Sequence, residues 1–248
     1  MWTFFHKLAS PPHIYRIAAY WIPWLGGLGL ALMAYGVWAG LFLAPADYQQ
    51  GDAFRIIYVH VPSAYLSMMA YSIMAIAAGI GLIWRMKLAH SVAAAAAPIG
   101  AWFTFLALMT GAIWGRPMWG TWWEWGDPRL TSELILLFLY FGYMALRAAI
   151  DDVAKADKAS AVLALVGAVN VPIIHFSVEW WSSLHQGPTL IREGGPAIEA
   201  DMLYPLLANI GGFTLFFGAV LLMRVRTEVL RREKRARWVK EMVLGGSQ

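Results

Sequence analysis

The sequence predicts an all-α integral membrane protein with six transmembrane helices, and three observations lead to this prediction. Of the 248 residues, 60% are hydrophobic and only 14% are charged. The mean hydropathy is +0.56, far from the balance of a soluble globular domain. Six stretches are long and apolar enough to cross a hydrocarbon core, which needs about 20 residues per helix.

Five of the six predicted spans contain no Asp, Glu, Lys or Arg. They are residues 20–43, 56–84, 91–114, 160–178 and 202–223. The remaining span, 130–150, carries Glu133 and Arg147 near its two ends, where we expect both to reach lipid headgroups. A β-barrel would instead show alternating segments of about ten residues. The sequence therefore predicts one polytopic membrane domain over residues 1–248.

The distribution of Lys and Arg predicts the orientation of these spans. With six spans, the N-terminus, the second and fourth loops and the C-terminal tail share one side and carry 15 basic residues. The other side carries four, which are Arg55, Arg116, Arg129 and Arg192. The positive-inside rule then places both termini in the cytoplasm. The basic tail, 224–248, is expected to contact anionic membrane lipid rather than nucleic acid.

Several classes of chemistry are excluded by residue types that the chain lacks. It has no Cys, which excludes disulfides, thiolate metal sites and the C-x-x-C-H attachment site of c-type cytochromes. It also has no Walker A sequence and no H-E-x-x-H zinc motif. Any energy coupling would have to come from a partner protein. The first hydrophobic segment is too long for a signal-peptide core, so we expect it to remain as an uncleaved helix.

The most unusual segment is W-G-R-P-M-W-G-T-W-W-E-W-G-D, which begins at residue 114 and lies between the third and fourth spans. It holds five of the 14 tryptophans within twelve residues: Trp114, Trp119, Trp122, Trp123 and Trp125. Tryptophan offers a wide, rigid and polarizable face. An aromatic belt supplies one or two tryptophans at each membrane interface, so a belt or a well-packed loop is the less favoured interpretation. The interleaved Gly, Pro, Glu and Arg favour a shaped platform.

Two histidines flank this segment on the same predicted side of the membrane. His60 lies in V-H-V-P at the mouth of the second span, and His185 lies in L-H-Q-G-P in the third outer loop. Each alone would more often be a packing residue than a ligand. Beside five tryptophans, the pair favours a flat, apolar, iron-bearing ligand such as haem, because imidazole ligates haem iron and indoles pack on the macrocycle.

Haem also carries two propionates, which need cations. Arg55 and Arg129 lie at a suitable predicted depth, and Arg116 is a third candidate. The cytoplasmic half of the sequence offers no second histidine pair of this kind. A single outer site favours holding or delivery of haem over transmembrane electron flow.

The run W-G-T-W-W-E-W-G-D-P-R-L-T-S-E-L, residues 119–134, resembles the WWD signature of haem-handling membrane proteins. Together with the length, the six spans and the two histidine motifs, it makes most of the chain similar to the haem exporter protein C family. The resemblance implies a role in c-type cytochrome biogenesis at the bacterial inner membrane. In that role the protein holds a transient, non-covalent b-type haem at the periplasmic face and places it on a membrane-anchored haem chaperone.

The resemblance further implies roles for individual residues. It makes His60 and His185 the axial ligands of the haem iron, within a site next to the periplasmic WWD segment, 114–133. The platform for haem and chaperone would consist of Trp114, Trp119, Trp122, Trp123, Trp125 and Asp127. This chain departs from the usual W-x-W-D pattern, because Gly126 separates Trp125 from Asp127. An extra residue there would shift the acid and the base relative to the indoles.

The partners that the resemblance implies are the periplasmic haem chaperone, protein E of the maturation system, and an ABC transporter. The transporter contributes its ATPase and membrane subunits, proteins A and B, together with the small protein D. The resemblance indicates a haem-transfer component more than an enzyme, with covalent attachment of haem to the chaperone as the reaction that it could promote.

Two other functions compete with this interpretation. A haem lyase of the larger WWD type would attach haem to apocytochrome, but those proteins are longer and have more spans and further histidine pairs. A permease for haem or another small molecule would need a polar pathway, and only Asn170 and Asn209 supply obvious polarity within the spans besides hydroxyls.

Overall fold

Helices form nearly all of the regular structure in the computed structural model, which describes residues 10–187, 189–190 and 193–245. In chain order they are α1 (Pro11–Phe42), α2 (Ile57–Trp84), α3 (Lys87–Trp119), α4 (Pro128–Ala149), α5 (Val153–Gly167), α6 (Asn170–Trp180), α7 (Ala200–Glu233) and α8 (Arg237–Gly245). A short 3-10 helix, Asp52–Ile56, leads into α2. Pro188 of the L-H-Q-G-P motif and Arg192 of the charge count lie outside the described residues.

Six helical segments are long and apolar enough to cross a membrane, which confirms an all-helical, multi-pass membrane protein. They are α1, the 3-10 helix with α2, α3, α4, α5 with α6, and α7. Several helices run beyond the predicted spans, because a helix continues past the apolar stretch until its backbone is capped or broken. Helix α3 ends at Trp119 rather than at Trp114, and α7 continues to Glu233 within the predicted tail.

The fifth span is interrupted, although the sequence predicted it as one helix. Helix α5 ends at Gly167 and α6 begins at Asn170. Pro172 explains the break, because it has no N–H to donate to the carbonyl of Ala168 and its ring would clash with that carbonyl. The Asn170 side chain donates to the carbonyl of Ser132 at 2.9 Å, which joins the break to α4.

The bundle is held by close helix contacts and a small number of buried tyrosines. Helix α1 packs mainly on α7, and a Cβ atom built on Gly29 would lie 3.0 Å from the carbonyl oxygen of Gly212. Such close approach of small residues is typical of helix packing in membranes. In the centre, the Tyr140 hydroxyl donates to the carbonyl of Ser67 at 2.8 Å. The Tyr140 ring also packs edge-on against Tyr71.

The expectation that Glu133 and Arg147 reach lipid headgroups is wrong. Glu133 is 8% exposed and lies inside the bundle. Arg147 is largely buried and forms ion pairs with Asp157 of α5 and Glu228 of α7. A charged side chain inside a membrane protein is stabilised by pairing with another buried charge, which replaces its contact with water.

Arg232 of α7 completes this cluster. It binds Asp157 through two N–O contacts of 2.8 Å and Glu228 through one of 2.8 Å. Arg147, Asp157, Glu228 and Arg232 therefore join α4, α5 and α7 at one end of the bundle, which we call the arginine end. The opposite end, where α3 finishes and α4 begins, carries both candidate histidines.

Candidate functional site

His60 lies in the first turn of α2 and is held by α3. Its Nδ1 is 3.0 Å from the hydroxyl oxygen of Thr110. That hydroxyl donates its own hydrogen to the carbonyl of Leu106 at 2.7 Å, so its oxygen accepts from Nδ1–H and leaves the Nε2 lone pair of His60 available. A Cβ atom on Gly111 would lie 3.1 Å from His60 Cε1, so glycine at that position makes room for the ring. Trp114 packs edge-on at 5.6 Å between ring centroids.

His185 lies in the segment that follows α6 and is also held through Nδ1. This nitrogen is 3.2 Å from Ser183 Oγ and 3.4 Å from Asp127 Oδ1. The backbone N–H of His185 donates to the same Ser183 oxygen at 3.1 Å. Trp119 packs edge-on against the imidazole, with 4.9 Å between ring centroids. Each histidine therefore has one supported nitrogen and one adjacent tryptophan.

Asp127 connects the start of α4 to the segment that carries His185. Its Oδ1 accepts the backbone N–H groups of Arg129 at 3.0 Å and Leu130 at 2.9 Å, which caps α4. Its Oδ2 accepts the Ser183 hydroxyl at 2.7 Å and the Leu184 N–H at 2.8 Å. The side chain has no exposed surface. Asp127 thus lies beneath the predicted platform rather than on its surface.

These contacts keep the Asp127 carboxylate charged. Burial by itself would raise the pKa of Asp127. Hydrogen bonds from His185, from the Ser183 hydroxyl and from backbone N–H groups outweigh burial and hold the pKa of this carboxyl well below its usual range. An ionised carboxylate beside Nδ1 of His185 orients that ring and leaves Nε2 facing away from the support.

The fold brings His60, His185 and Arg129 together at this end of the bundle, which we call the histidine end. Trp114 and Trp119, five residues apart in the last turns of α3, pack against His60 and His185 respectively. Within the described part of the chain, the guanidinium of Arg129 makes no hydrogen bond or ion pair of its own. It is therefore a cation available to an anionic ligand.

The other two candidate arginines are already engaged by backbone. Arg55 donates to the carbonyls of Gly40 at 2.7 Å and Ala44 at 2.9 Å, at the C-terminal end of α1, and pairs with Asp52 at 2.8 Å. Arg116 donates to the carbonyl of Gly120 at 2.6 Å, at the end of α3. Both satisfy helix-terminal carbonyls, which makes Arg129 the stronger candidate for a propionate.

The five clustered tryptophans divide into two groups. Trp114 and Trp119 belong to the last turns of α3 and pack against the histidines. Trp122 and Trp125 are 57% and 73% exposed. Trp123 lies between the groups, packed edge-on against Trp125, and its indole N–H is buried without a partner among the described residues.

The comparisons with known proteins show which family the chain belongs to. The family model described as "Heme exporter protein C" matches residues 4–240. The chain belongs to this family. Similar proteins with that name come from Escherichia coli (strain K12), 52% identical over 244 residues with 98% of each chain covered, and Haemophilus influenzae, 50% identical over 242 residues with 98% of each covered. A third, from Bradyrhizobium diazoefficiens, is 51% identical over 229 residues and covers 92% of this chain and 86% of its own.

Gly126, which separates Trp125 from Asp127, lies in a turn. The Gly126 N–H donates to the Glu124 carboxylate at 3.0 Å, and the Asp127 N–H donates to the Glu124 carbonyl at 3.1 Å. Pro128 follows as the first residue of α4, where its fixed φ and missing N–H are favourable. In this member of the family the acid therefore caps a helix and supports His185 at the same time.

The residues at the histidine end fit the haem that the family name implies. Among the described residues, no group of three or more His, Cys, Asp or Glu side chains could hold a bare metal ion. Haem iron needs only two protein ligands, because the macrocycle supplies the other four. Two imidazoles with supported Nδ1 atoms meet that requirement, since metal-binding histidines commonly engage the other ring nitrogen with a carboxylate or another polar group.

Two residues of the site, Thr110 and Ser183, were missed in the sequence analysis. Thr110 is 50 positions from His60, and no local pattern connects the two. Ser183 offered a signal, because a serine two residues before a histidine often bonds to the following backbone. The structure shows that bond together with the contact to Asp127, which is 56 positions away.

Proposed function

We propose that this protein binds haem at the periplasmic face of the bacterial inner membrane and delivers it to a membrane-anchored haem chaperone during c-type cytochrome biogenesis. The observation that carries the proposal is the arrangement of His60 and His185. They come from distant parts of the chain, share one end of the bundle, and each engage Nδ1 with a polar side chain. Membership of the family, whose relatives are named as haem exporters, supports the haem-handling role.

In this proposal His60 and His185 would hold the iron, because the contacts of their Nδ1 atoms leave Nε2 for a ligand. The bound haem would supply an iron with two open axial positions and a flat apolar macrocycle. Asp127 and Thr110 orient the two imidazoles through Nδ1, and a carboxylate in this position raises the basicity of the ligand. Arg129 would neutralise a propionate, because its guanidinium makes no hydrogen bond or ion pair with any described side chain.

The tryptophans have two different roles in this proposal. Trp114 and Trp119 restrict the space around the two imidazoles and exclude water from it. Trp122 and Trp125 present exposed indoles, which are favourable anchors for a partner protein. The chaperone would therefore approach the histidine end over these indoles and receive the haem through its own histidine. This makes the protein a holding and transfer component rather than an enzyme.

The proposal places the protein within a larger complex. The chain has no nucleotide-binding motif, so energy from ATP would come from the ATPase and membrane subunits of an ABC transporter, proteins A and B, with the small protein D. The chaperone is protein E of the same maturation system.

The orientation is part of the proposal and has its own test. The excess of basic residues at the arginine end and in the tail predicts a cytoplasmic location for both. Reporter fusions at Gly120 and Gly187 should report the periplasm, and a fusion at Lys155 should report the cytoplasm. A cytoplasmic Gly120 would place the WWD segment on the wrong side and overturn delivery to a periplasmic chaperone.

The haem site is tested by absorption spectra of protein purified from haem-replete cells without the chaperone. The native protein should carry six-coordinate haem. His60→Ala and His185→Ala should each open one axial position, which added imidazole refills. His175→Ala is the matched control, because His175 is an exposed histidine on α6 that packs edge-on against Phe176. A haem-free native protein, or unchanged spectra in both single variants, would overturn the assignment.

A further inference from the structure

The arginine end contains a cleft that the haem site does not use. This cleft has a volume of about 390 Å³ and lies between α3, α4, α5 and α7. Its lining includes three arginines, which are Arg147, Arg224 and Arg231. A second groove, of about 220 Å³, runs between α3 and α7 and shares Pro98 and Arg224 with the cleft. The two spaces therefore meet at one cation.

The chemistry of the two spaces differs. The cleft contains guanidinium groups, the carboxylate of Asp151 and the hydroxyl-bearing Tyr143. The groove is lined by Trp102, Phe103, Phe216 and Phe217. A charged space that shares two lining residues with an aromatic one has the polarity of an amphiphile with a headgroup and a hydrocarbon chain.

Arg224 is the cation that remains available to a ligand. Arg147 and Arg231 are each bound to Glu228, at 3.1 and 2.8 Å. Arg224 is exposed and has no hydrogen bond or ion pair within the ranges that the structure describes. Its guanidinium faces a space that already contains two other arginines, so an anion there would meet several cations at once.

The sum of the charges around the cleft is positive. Four guanidinium groups, those of Arg147, Arg224, Arg231 and Arg232, stand against the three carboxylates of Asp151, Asp157 and Glu228. The carboxylates of Asp157 and Glu228 are already paired with Arg147 and Arg232. One negative charge at Arg224 would balance the sum.

The depth of the cleft matches the boundary between hydrocarbon and headgroups. Pro98 lies 21 residues before Trp119 in α3, which corresponds to about 30 Å along a helix, the thickness of a hydrocarbon core. Pro98 also has no N–H to donate to the carbonyl of Ala94. Both residues line the cleft together with the arginines.

We propose that the cleft and groove hold one negatively charged phospholipid, with its phosphate at Arg224 and one acyl chain in the groove between α3 and α7. Basic pockets between transmembrane helices are suited to anionic headgroups. The proposal is independent of the haem site, which lies at the opposite end of the bundle.

The test is native mass spectrometry of the full chain in detergent, with phosphatidylglycerol and phosphatidylcholine of identical acyl chains in competition. The native protein should retain one phosphatidylglycerol in preference to phosphatidylcholine. Arg224→Gln should reduce that preference about fivefold, the effect of one basic residue near an anionic lipid surface. Arg237→Gln is the matched control and should change nothing, because Arg237 is an exposed arginine on α8 that pairs with Glu241.

A second variant tests the space in the cleft separately from its charge. Ala94→Phe fills the cleft without altering any charge and should remove the bound lipid, while the haem spectrum stays native. The proposal is overturned if both variants keep the native preference for phosphatidylglycerol. It is also overturned if added haem displaces the lipid saturably in the native protein but not in Arg224→Gln, because the cleft would then be a haem site.

Discussion

The two ends of the bundle hold their polar side chains in opposite ways. At the arginine end, Arg147 is bound by two carboxylates, those of Asp157 and Glu228, which come from two other helices. At the histidine end, the side-chain hydrogen bonds of His60 and His185 among the described residues are made through Nδ1. An arginine that is ion-paired with carboxylates of other helices joins those helices. An imidazole whose Nδ1 is hydrogen-bonded still has Nε2 to offer to a ligand.

Asp127 shows that the two arrangements can meet in one residue. Its carboxylate is as fully used as those of the arginine end, since it accepts four hydrogen bonds from α4 and from the segment after α6. Yet its fifth contact, at 3.4 Å to Nδ1 of His185, supports the ligand-ready ring. The Asp127 carboxylate, which already accepts four hydrogen bonds, thus also orients the His185 imidazole.

The largest effect is expected from breaking the arginine end. Asp157→Asn removes the charge that both Arg147 and Arg232 share, and loss of one partner from a buried cluster costs about 3–5 kcal/mol of unfolding free energy. The loss of unfolding free energy is measured by denaturation of the purified protein in detergent. Glu241→Gln is the control, because an exposed pair contributes little. A native midpoint in Asp157→Asn would contradict a joining role, and loss of the haem spectrum in the folded fraction would contradict the separation of the two ends.

The next effect concerns the exposed and packed tryptophans at the histidine end. Replacing Trp122 and Trp125 by Ala should weaken chaperone docking by about 2–4 kcal/mol for each indole that is a central anchor. The iron should remain six-coordinate in these variants. Trp123 belongs to the same predicted surface and should follow them, whereas Trp119→Ala should impair haem retention because Trp119 packs against His185.

Co-purification of the haem-loaded chaperone measures docking in each variant. Trp24→Ala is the matched control, because Trp24 is 64% exposed on α1 and lies within the predicted membrane span. Full chaperone loading by a variant that lacks Trp122, Trp123 and Trp125 would show that these residues serve only as an aromatic belt at the membrane interface.

A smaller effect is expected from Asp127→Asn. The amide keeps the helix cap, since Asn and Asp are equivalent at that position. It removes the charge beside His185 and also the second oxygen, which accepts the Leu184 N–H. Haem affinity should fall about 10–100-fold with the iron still six-coordinate. Asp152→Asn is the matched control, because Asp152 caps α5 in the same way without contacting a histidine. Equal haem titrations of both variants and the native protein would show that the carboxylate serves only as a cap.

The smallest effect is the pH dependence of that carboxylate. Because its pKa is depressed in the folded protein, the stability that Asp127 contributes is complete above about pH 4, near the ordinary pKa of Asp. It is lost as the pH falls through the depressed value. The difference in unfolding midpoint between native protein and Asp127→Asn should therefore be constant from pH 7 to pH 5 and shrink below pH 4. A difference that disappears between pH 7 and pH 5 would contradict this.

Properties that depend on residue type and local spacing were determined by the sequence alone. Hydropathy predicted six spans, because the cost of burying polar groups in lipid acts on each segment separately. The tryptophan cluster and the two histidine motifs were visible as local patterns and led to the family that the comparisons confirm. Even the break between α5 and α6 had a local cause in Pro172, although the prediction passed over it.

Only the tertiary structure decided which polar groups meet. Thr110 lies 50 positions from His60, Leu184 lies 57 from Asp127, and Glu228 lies 81 from Arg147. Such contacts depend on how helices pack and in which register, and neither hydropathy nor spacing along the chain contains that information. Packing therefore buried Arg147 in a cluster, engaged Arg55 with backbone and left Arg129 available, although the sequence presents all three as arginines near the end of an apolar span.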